Sequence, residues 1–258
     1  MVRFFADKAD FSNGLIQLNT EDAAHIRSLR LRPSEFFVVC DGEGSDHICR
    51  LAENSELASK VSKSKSEGAV AEVIETRPSR GEPSVLCSVY IALMKGDRLD
   101  YAVQKSVEMG AYEIVLFPSE RCVSVPGDMD KKTARLQRIA LETAKQCGRG
   151  RVPEVKSADS FKSAVLQASR AKLPLFFYEC EEELHLKNAL ENSEFRIPNS
   201  EFNSVSIVTG PEGGFEPHEA ELAQSAGLTA VTLGPRILRC ETAPVAVLAA
   251  VMYHTGNL

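Results

Sequence analysis

"SVSIVTGPEGGFEPHEAELAQSAGLTAVTLG", residues 204–234, holds an apolar run, a glycine-rich turn, a helical stretch, a glycine stop and a second apolar run. A strand, a crossover helix and a strand in that order predict a βαβ unit, and therefore a parallel sheet. The turn invites a phosphate-loop reading, because glycines between strand and helix let backbone N–H groups approach an anion. A Walker loop places Lys and then Ser or Thr after its last glycine, whereas Gly214 is followed by Phe215, Glu216 and Pro217. Glu212 also puts a carboxylate inside the turn, which would repel a pyrophosphate and suits a neutral or cationic ligand. The plainer alternative is a turn whose glycines only supply positive φ.

The same period recurs on either side of this unit. "SVLCSVYIAL", "YEIVLFP", "LPLFFYE" and "LTAVTLG" read as strands, and "DRLDYAVQKSVEMG", "KKTARLQRIALETAKQC", "EEELHLKNAL" and "ETAPVAVLAAVMYH" as helices. Gly110 and Gly227 stand where helix-ending glycines are expected. Before residues 76 to 83 the pattern is different: "VRFF", "EFFVVC", "HICRLA" and "AVAEVI" are short apolar segments separated by turn signals, with one helical candidate at "TEDAAHIRSLR". That part predicts a small β-barrel.

Composition bounds the rest. A chain of 258 residues with 43% hydrophobic content can bury a sizeable core. It has no run of about 18 uninterrupted apolar residues, and "MVRFFADKADFSNG" carries acids where a secretory leader needs apolar residues, so export and membrane insertion are not expected. The seven cysteines form no C-x-x-C pair, which suggests free thiols in a reducing cytosol and no zinc. Hydrolase chemistry finds no G-x-S-x-G, and the histidines lack H-x-x-x-H spacing. A net charge of −6 argues against a protein coated in basic surface, but residues 121–156 carry nine Lys or Arg against four acids. Within that stretch Ala134, Leu136, Ile139, Ala140, Thr143, Ala144 and Cys147 fall at helical spacing, leaving Lys132, Arg135, Arg138 and Lys145 off the apolar stripe. Such a face is either simply solvated or holds an anionic polymer. The acidic excess lies elsewhere, notably in residues 178–195.

Ligands of parallel sheets bind outside the carboxyl ends of the strands. Tyr178 and Glu179, "TGPEGG" and "LGPRILRCET" occupy three such ends. In the last, Ile237 and Leu238 are bulky aliphatics in a loop beside Arg239. They either plug the core beneath it or cover an apolar ring such as adenine.

Those motifs, with "KGDRLDYAVQKSVEMGAYEIVLFPSERCV" and "RLQRIALETAKQCGRGRVPEV", resemble the bacterial 16S ribosomal RNA uracil-N3 methyltransferases of the SPOUT superfamily. The likeness spans nearly the whole chain, including "RFF", "HIRSLRLRPSE" and the "DGEG" turn. It implies an α/β fold: a PUA-like RNA-binding β-barrel over residues 1–76, then a SPOUT methyltransferase domain over 77–258. The latter would carry a mainly parallel sheet and a carboxy-terminal trefoil knot, with the cofactor site at about 173–258. The resemblance also implies S-adenosylmethionine as cofactor, 16S rRNA of the small ribosomal subunit as partner, a homodimer, a cytoplasmic location, and neither metal nor membrane. Tyr178, Gly210, Glu212, Gly213, Leu233, Gly234, Ile237, Leu238, Thr242 and Ala243 are then the expected cofactor residues. Arg3, His25, Arg30, Arg32, Lys132, Arg138 and Gln146 are the expected RNA contacts.

A uracil N3–H must lose or share its proton as the methyl arrives, and the charge spreads to O2 and O4. A guanidinium offers a permanent charge and forked donors, so Arg239 is the first catalytic candidate and Arg149 the second. Glu241 is a candidate proton acceptor, or alternatively a helix-start acid. Three other readings stay open: a SPOUT enzyme acting on another nucleotide, a C5 methyltransferase using Cys240 as nucleophile, and a non-catalytic RNA-binding or assembly module that holds S-adenosylmethionine.

Overall fold

Apolar residues alternate along the short strands of the amino-terminal part, which puts one set of them on a single face. In the computed structural model, which describes residues 1–52, 68–123, 127–192 and 204–258, these strands form one sheet. They are β1 (Arg3–Phe5), β2 (Phe11–Ser12), β3 (Leu15–Gln17), β4 (Phe37–Cys40), β5 (Ser45–Leu51) and β6 (Val70–Pro78), in the order β1-β4-β5-β6-β3-β2. β1 and β4 run parallel and every other pair antiparallel. Phe4, Ile16, Phe37, Val39, Cys49 and Ala71 make its core with Ile26 of helix α1 (Thr20–Ser28). The β2–β3 hairpin was not expected, although Asn13-Gly14 signals it. Both residues take positive φ, 50° and 78°, as a two-residue turn between twisted strands requires.

Contacts divide the chain into two units, Met1–Glu82 with Ala144–Val152, and Pro83–Thr143 with Pro153–Leu258. The second holds β7 (Leu86–Ala92), β8 (Glu113–Phe117), β9 (Glu154–Ser157), β10 (Leu173–Phe177), β11 (Ser204–Thr209) and β12 (Thr229–Val231). They form a wholly parallel sheet in the order β12-β10-β11-β7-β8-β9. Its strands are apolar along most of their length because helices cover both faces of such sheets. The helices are α2 (Arg98–Glu108), α3 (Met129–Cys147), α4 (Phe161–Ala168), α5 (Leu186–Asn192), α6 (Pro217–Ser225) and α7 (Ala243–His254). α2 and α6 end on Gly110 and Gly227 at φ 92° and 95°. In each case the glycine N–H and the next N–H fold back on the last turn, as in Gly227 to Gln224 O at 2.9 Å and Leu228 to Ala223 O at 3.0 Å.

β9 and α4 are absent from the elements expected above. α4 is nonetheless written in the sequence: Phe161, Ala164, Val165 and Ala168 are buried at helical spacing, and Ser160 Oγ accepts the Ser163 amide at 3.1 Å. On α3, Leu136, Ala140, Thr143 and Ala144 are buried as expected, but Ala134 is exposed. The acidic run becomes helical only from Leu186, and residues 193–195 lie outside the described residues. From β7 the chain adds β8 and β9 on one side before crossing to build β10, β11 and β12 on the other. The ends of these last three strands thus gather beyond one edge of the sheet.

Two arginines of the first unit need reassignment. Arg3 was expected on RNA phosphate. Its Nη1 and Nη2 instead donate to Asp46 Oδ1 and Oδ2 at 2.6 and 3.0 Å, in a pair whose side chains are 13% and 3% exposed. Arg149 was the second catalytic candidate. It is buried, and its Nε and Nη2 donate to Glu82 at 3.2 and 2.7 Å, while Glu82 Oε1 also accepts the amides of Gly150 and Arg151. That guanidinium clamps residues 149–151 to Glu82 and is removed from the catalytic set.

Burial alone would raise the Asp46 carboxyl, but hydrogen bonds and charge from Arg3 outweigh it and hold the group below its ordinary range. A carboxyl depressed in the folded state contributes stability above its unfolded pKa, about 3.9, and that contribution is lost as pH falls. Arg3→Met should therefore cost about 3–5 kcal/mol in urea unfolding at pH 7, because it leaves Asp46 buried and unpaired. Below about pH 4 the stability of Asp46→Asn should fall less steeply than that of the unaltered chain.

Candidate functional site

β11 stops directly before Gly210-Pro211, and β12, which ends at Val231, is followed by Gly234-Pro235; proline lacks the N–H a ladder needs. The loops that follow, with the end of β10, wall a pocket of about 500 Å³. Phe177 to Glu179 come from β10, Thr209 to Gly214 from β11, and Val231 to Gly234, Arg236 to Cys240 and Ala243 from β12 and the start of α7. Arg98 of α2 completes the wall.

The turn after β11 is shaped by the protein's own side chains. Gly214 has φ +71°, and a Cβ there would lie 1.8 Å from Glu179 Oε1, the oxygen that accepts the Phe215 amide at 2.9 Å. A Cβ on Gly210 would come within 2.9 Å of the Phe215 ring, which is buried against Phe176 and Phe161 at centroid distances of 4.6 and 5.4 Å. Gly213, one of the expected cofactor residues, lines the pocket without a positive φ. Its carbonyl accepts Arg121 Nη1 at 3.2 Å, and a Cβ would meet Arg121 Cβ at 2.8 Å. Arg121 Nε donates to Glu216 at 2.7 Å, and Glu219, buried at the start of α6, accepts Glu216 N and Ser119 Oγ, both at 2.9 Å. The helix start is thereby fastened to the loop after β8.

Glu212 is differently placed. Its Oε1 accepts the Lys95 amide at 3.1 Å and Arg98 Nη1 at 3.2 Å, while its Oε2 is buried with no partner among the described residues. A carboxylate in the pocket wall suits a ligand that brings a hydrogen-bond donor or a positive charge. Leu233 and Leu238 line the pocket half-buried, and Ile237 is 89% exposed, which excludes the core-plug reading for Ile237. The Arg239 carbonyl accepts the amides of Thr242 and Ala243 at 2.9 and 3.0 Å. Its guanidinium, exposed and lining the pocket, has no hydrogen-bond partner among the described residues.

Burial pulls the Glu241 carboxyl upward, but its own amide, the Cys240 thiol and the charges of Arg98 and Arg239 outweigh burial and hold it below the ordinary glutamate range. Glu241 also stands outside the pocket lining. Burial first, then the hydrogen bond to Glu241, pushes the Cys240 thiol up to about 12, which withholds the thiolate that C5 chemistry needs.

The expected cofactor residues all line this pocket except Thr242, which precedes α7 and is exposed. The reading from sequence missed Arg98, Arg236 and Thr232. Arg98 was findable, since it follows the carboxyl end of β7 just as the others follow their strands. Of the expected RNA contacts, His25, Arg30, Arg32, Arg138 and Gln146 are exposed and Lys132 half-buried. Arg135 and Lys145 are turned to Asp100 and Asp22, whereas Lys132 and Arg138 have no carboxylate partner among the described residues. Arg30 stands where α1 would normally end on glycine: its φ is +55°, with its N–H on Arg27 O and Leu31 N–H on Ile26 O.

Residues 82–252, which hold the parallel sheet and this pocket, match the family model described as an RNA methyltransferase domain. Ribosomal RNA small subunit methyltransferase E of Bacillus subtilis (strain 168) is 34% identical over 244 residues, 92% of this chain and 90% of that one. Its namesake in Mesomycoplasma hyopneumoniae (strain 232) is 30% identical, covering 96% and 97%. A crystal structure of the Neisseria gonorrhoeae protein of that name, bound to S-adenosyl methionine, superposes with a TM-score of 0.78 at 30% identity over 98% of this chain and 97% of that one. The chain belongs to the ribosomal RNA small subunit methyltransferase E family.

Gly214→Ala should lower stability by about 1–3 kcal/mol, since the left-handed backbone and the Glu179 contact both oppose a methyl group, and should weaken cofactor binding with it. Gly213→Ala, whose only close neighbour is the Arg121 side chain and carbonyl, should do less on both counts. Thermal melting and calorimetric titration with S-adenosylmethionine on the two variants check the order.

Proposed function

We propose that this chain methylates N3 of a uridine in 16S ribosomal RNA, with S-adenosylmethionine as methyl donor. One observation carries the reading: one pocket at the ends of β10, β11 and β12 combines an apolar cover, the Glu212 carboxylate and a guanidinium, that of Arg239, with no hydrogen-bond partner among the described residues. The residues fit the donor. Leu233, Ile237 and Leu238 would cover the adenine, the backbone of Gly210 and Gly234 would meet its polar edge, and Glu212 would face positive charge. When bound, S-adenosylmethionine supplies an electrophilic methyl group on a positively charged sulfur. Arg239 stabilises the charge that grows on O2 and O4 of the uracil as the N3 proton leaves to solvent.

In the same reading residues 1–76 of the first unit make the PUA-like RNA-binding barrel, and the second unit is the SPOUT domain carrying the trefoil knot. Family membership supports both. The enzyme works in the cytoplasm, where small subunits are assembled. Pairing of two chains is supported by α7, which is apolar on every side: Pro244, Val247, Leu248 and Val251 are buried, Val245, Ala246 and Ala249 remain partly open, and Tyr253 is 77% exposed. A helix apolar all round calls for cover. Light scattering should give the mass of two chains, and a monomer at micromolar concentration would count against pairing.

The direct test incubates the purified chain with methyl-labelled donor and small-subunit RNA, free or in 30S particles, and analyses the digested nucleosides. Label in 3-methyluridine is expected. Label in another nucleoside would give the reaction to a different position, and cofactor binding without transfer to any RNA would leave a non-catalytic module.

Arg239→Ala should leave RNA binding nearly intact and slow single-turnover methyl transfer by roughly a hundredfold or more, the usual loss on removing one preorganised donor. Arg239→Lys should rescue only part of it, because an ammonium lacks the planar fork. If Arg239 only ties the loop, melting temperature and cofactor affinity will fall together with the rate.

Arg30 offers a test on the RNA side. A non-glycine residue held at positive φ costs about 1 kcal/mol or more, which makes sense if its side chain grips phosphate. Arg30→Gly should then raise the melting temperature while weakening RNA binding and lowering its salt slope by about one contact. Stabilisation with unchanged RNA affinity would reduce Arg30 to a strained surface residue.

A further inference from the structure

The acids around the pocket are in different states of use. Glu179 Oε1 is taken by the Phe215 amide, and the Glu241 carboxylate, outside the lining, holds the Cys240 thiol at 3.2 Å. Glu212 lines the pocket, and alone among these three it keeps one oxygen buried that nothing described satisfies. Its other oxygen is fixed by the Lys95 amide and Arg98, so the carboxylate cannot turn outward to water without breaking both contacts. Its charge also reaches Cys240, another lining residue, where it adds to the effects that raise the thiol.

We infer that Glu212 is the residue by which the pocket separates the charged methyl donor from its spent form, with Arg98 as the positioning residue that aims it. The inference rests on the methyltransferase reading above. In the transfer the sulfur–methyl bond breaks and its electron pair stays on sulfur, while the N3 lone pair forms the new bond and the N3 proton goes to solvent. The sulfonium becomes a neutral thioether, and the amino and carboxylate groups of the molecule are unchanged. Positive charge at sulfur is therefore the one electrostatic difference between what enters and what must leave. A carboxylate fixed in the pocket wall attracts the first and loses that attraction for the second. The device favours product release, and with it resistance to product inhibition, without any moving part.

The test is calorimetric binding of S-adenosylmethionine, S-adenosylhomocysteine and sinefungin, whose amine replaces the sulfonium, to the full chain and to Glu212→Gln, with melting temperatures alongside. The unaltered chain should prefer the two charged ligands by about tenfold. Glu212→Gln should lose roughly tenfold on those two and stay within about threefold on S-adenosylhomocysteine. Glu212→Asp, which keeps the charge on a shorter arm, should retain the preference even where every affinity falls, and it serves if the Gln variant does not fold. Equal losses on all three ligands overturn the inference, since they would set Glu212 against a group that donor and product share. Unchanged affinities overturn it as well. If the unaltered chain binds none of the three, the methyltransferase reading itself fails; if it binds all three with equal strength, that reading stands and only the role of Glu212 falls.

Discussion

A single carboxylate holds the pocket open. Glu179, just past β10, puts its Oε1 into the space where a side chain on Gly214 would begin and accepts the Phe215 amide there. That contact joins the end of one strand to the turn after its neighbour. It also seats Phe215 under Gly210, in the aromatic cluster of Phe161 and Phe176. With Phe215 anchored, α6 begins where Glu219 and Arg121 fasten it, and the Gly210–Gly214 backbone is left lining a cavity instead of filling it. Replacing either glycine forces a ring or a carboxylate out of place, so the cavity depends on packing behind it as much as on the residues that face it.

Charge is sorted between structure and function by the same logic of partners. Arg3 is half-buried on Asp46, Arg149 is buried on Glu82, and Arg135 leans on Asp100. Guanidiniums spent in this way have no free fork for a phosphate or a uracil. Arg239, Lys132 and Arg138 are left without such partners among the described residues, and Glu212 keeps one oxygen unpaired. Incomplete pairing, costly in a folded protein, is what a site for a charged ligand requires.

Much of this was legible in the residues. The alternation of apolar runs and helical stripes predicted the parallel sheet, and the glycine- and proline-containing stretches "TGPEGG" and "LGPRILRCET" at the strand ends pointed to the pocket, because backbone constraints of glycine and proline are local and survive in one dimension. The Asn13-Gly14 hairpin and the Ser160 cap were equally local signals. What could not be read is which cation meets which acid. Arg3 lies 43 positions from Asp46, and Arg149 lies 67 from Glu82, and nothing near either arginine shows that its partner will be folded beside it. The glycine roles were likewise hidden: positive φ falls on Gly214, not Gly213, and only the approach of Glu179 across the sheet explains it.

The central claim is that three strand ends together form the methyl-donor site. Hydrogen–deuterium exchange with and without S-adenosylmethionine tests it most directly. Added donor should slow exchange in residues 177–179, 209–214 and 231–243 together, and leave the β1–β6 sheet unchanged. Protection confined to one of these segments, or appearing chiefly in the first unit, would contradict it.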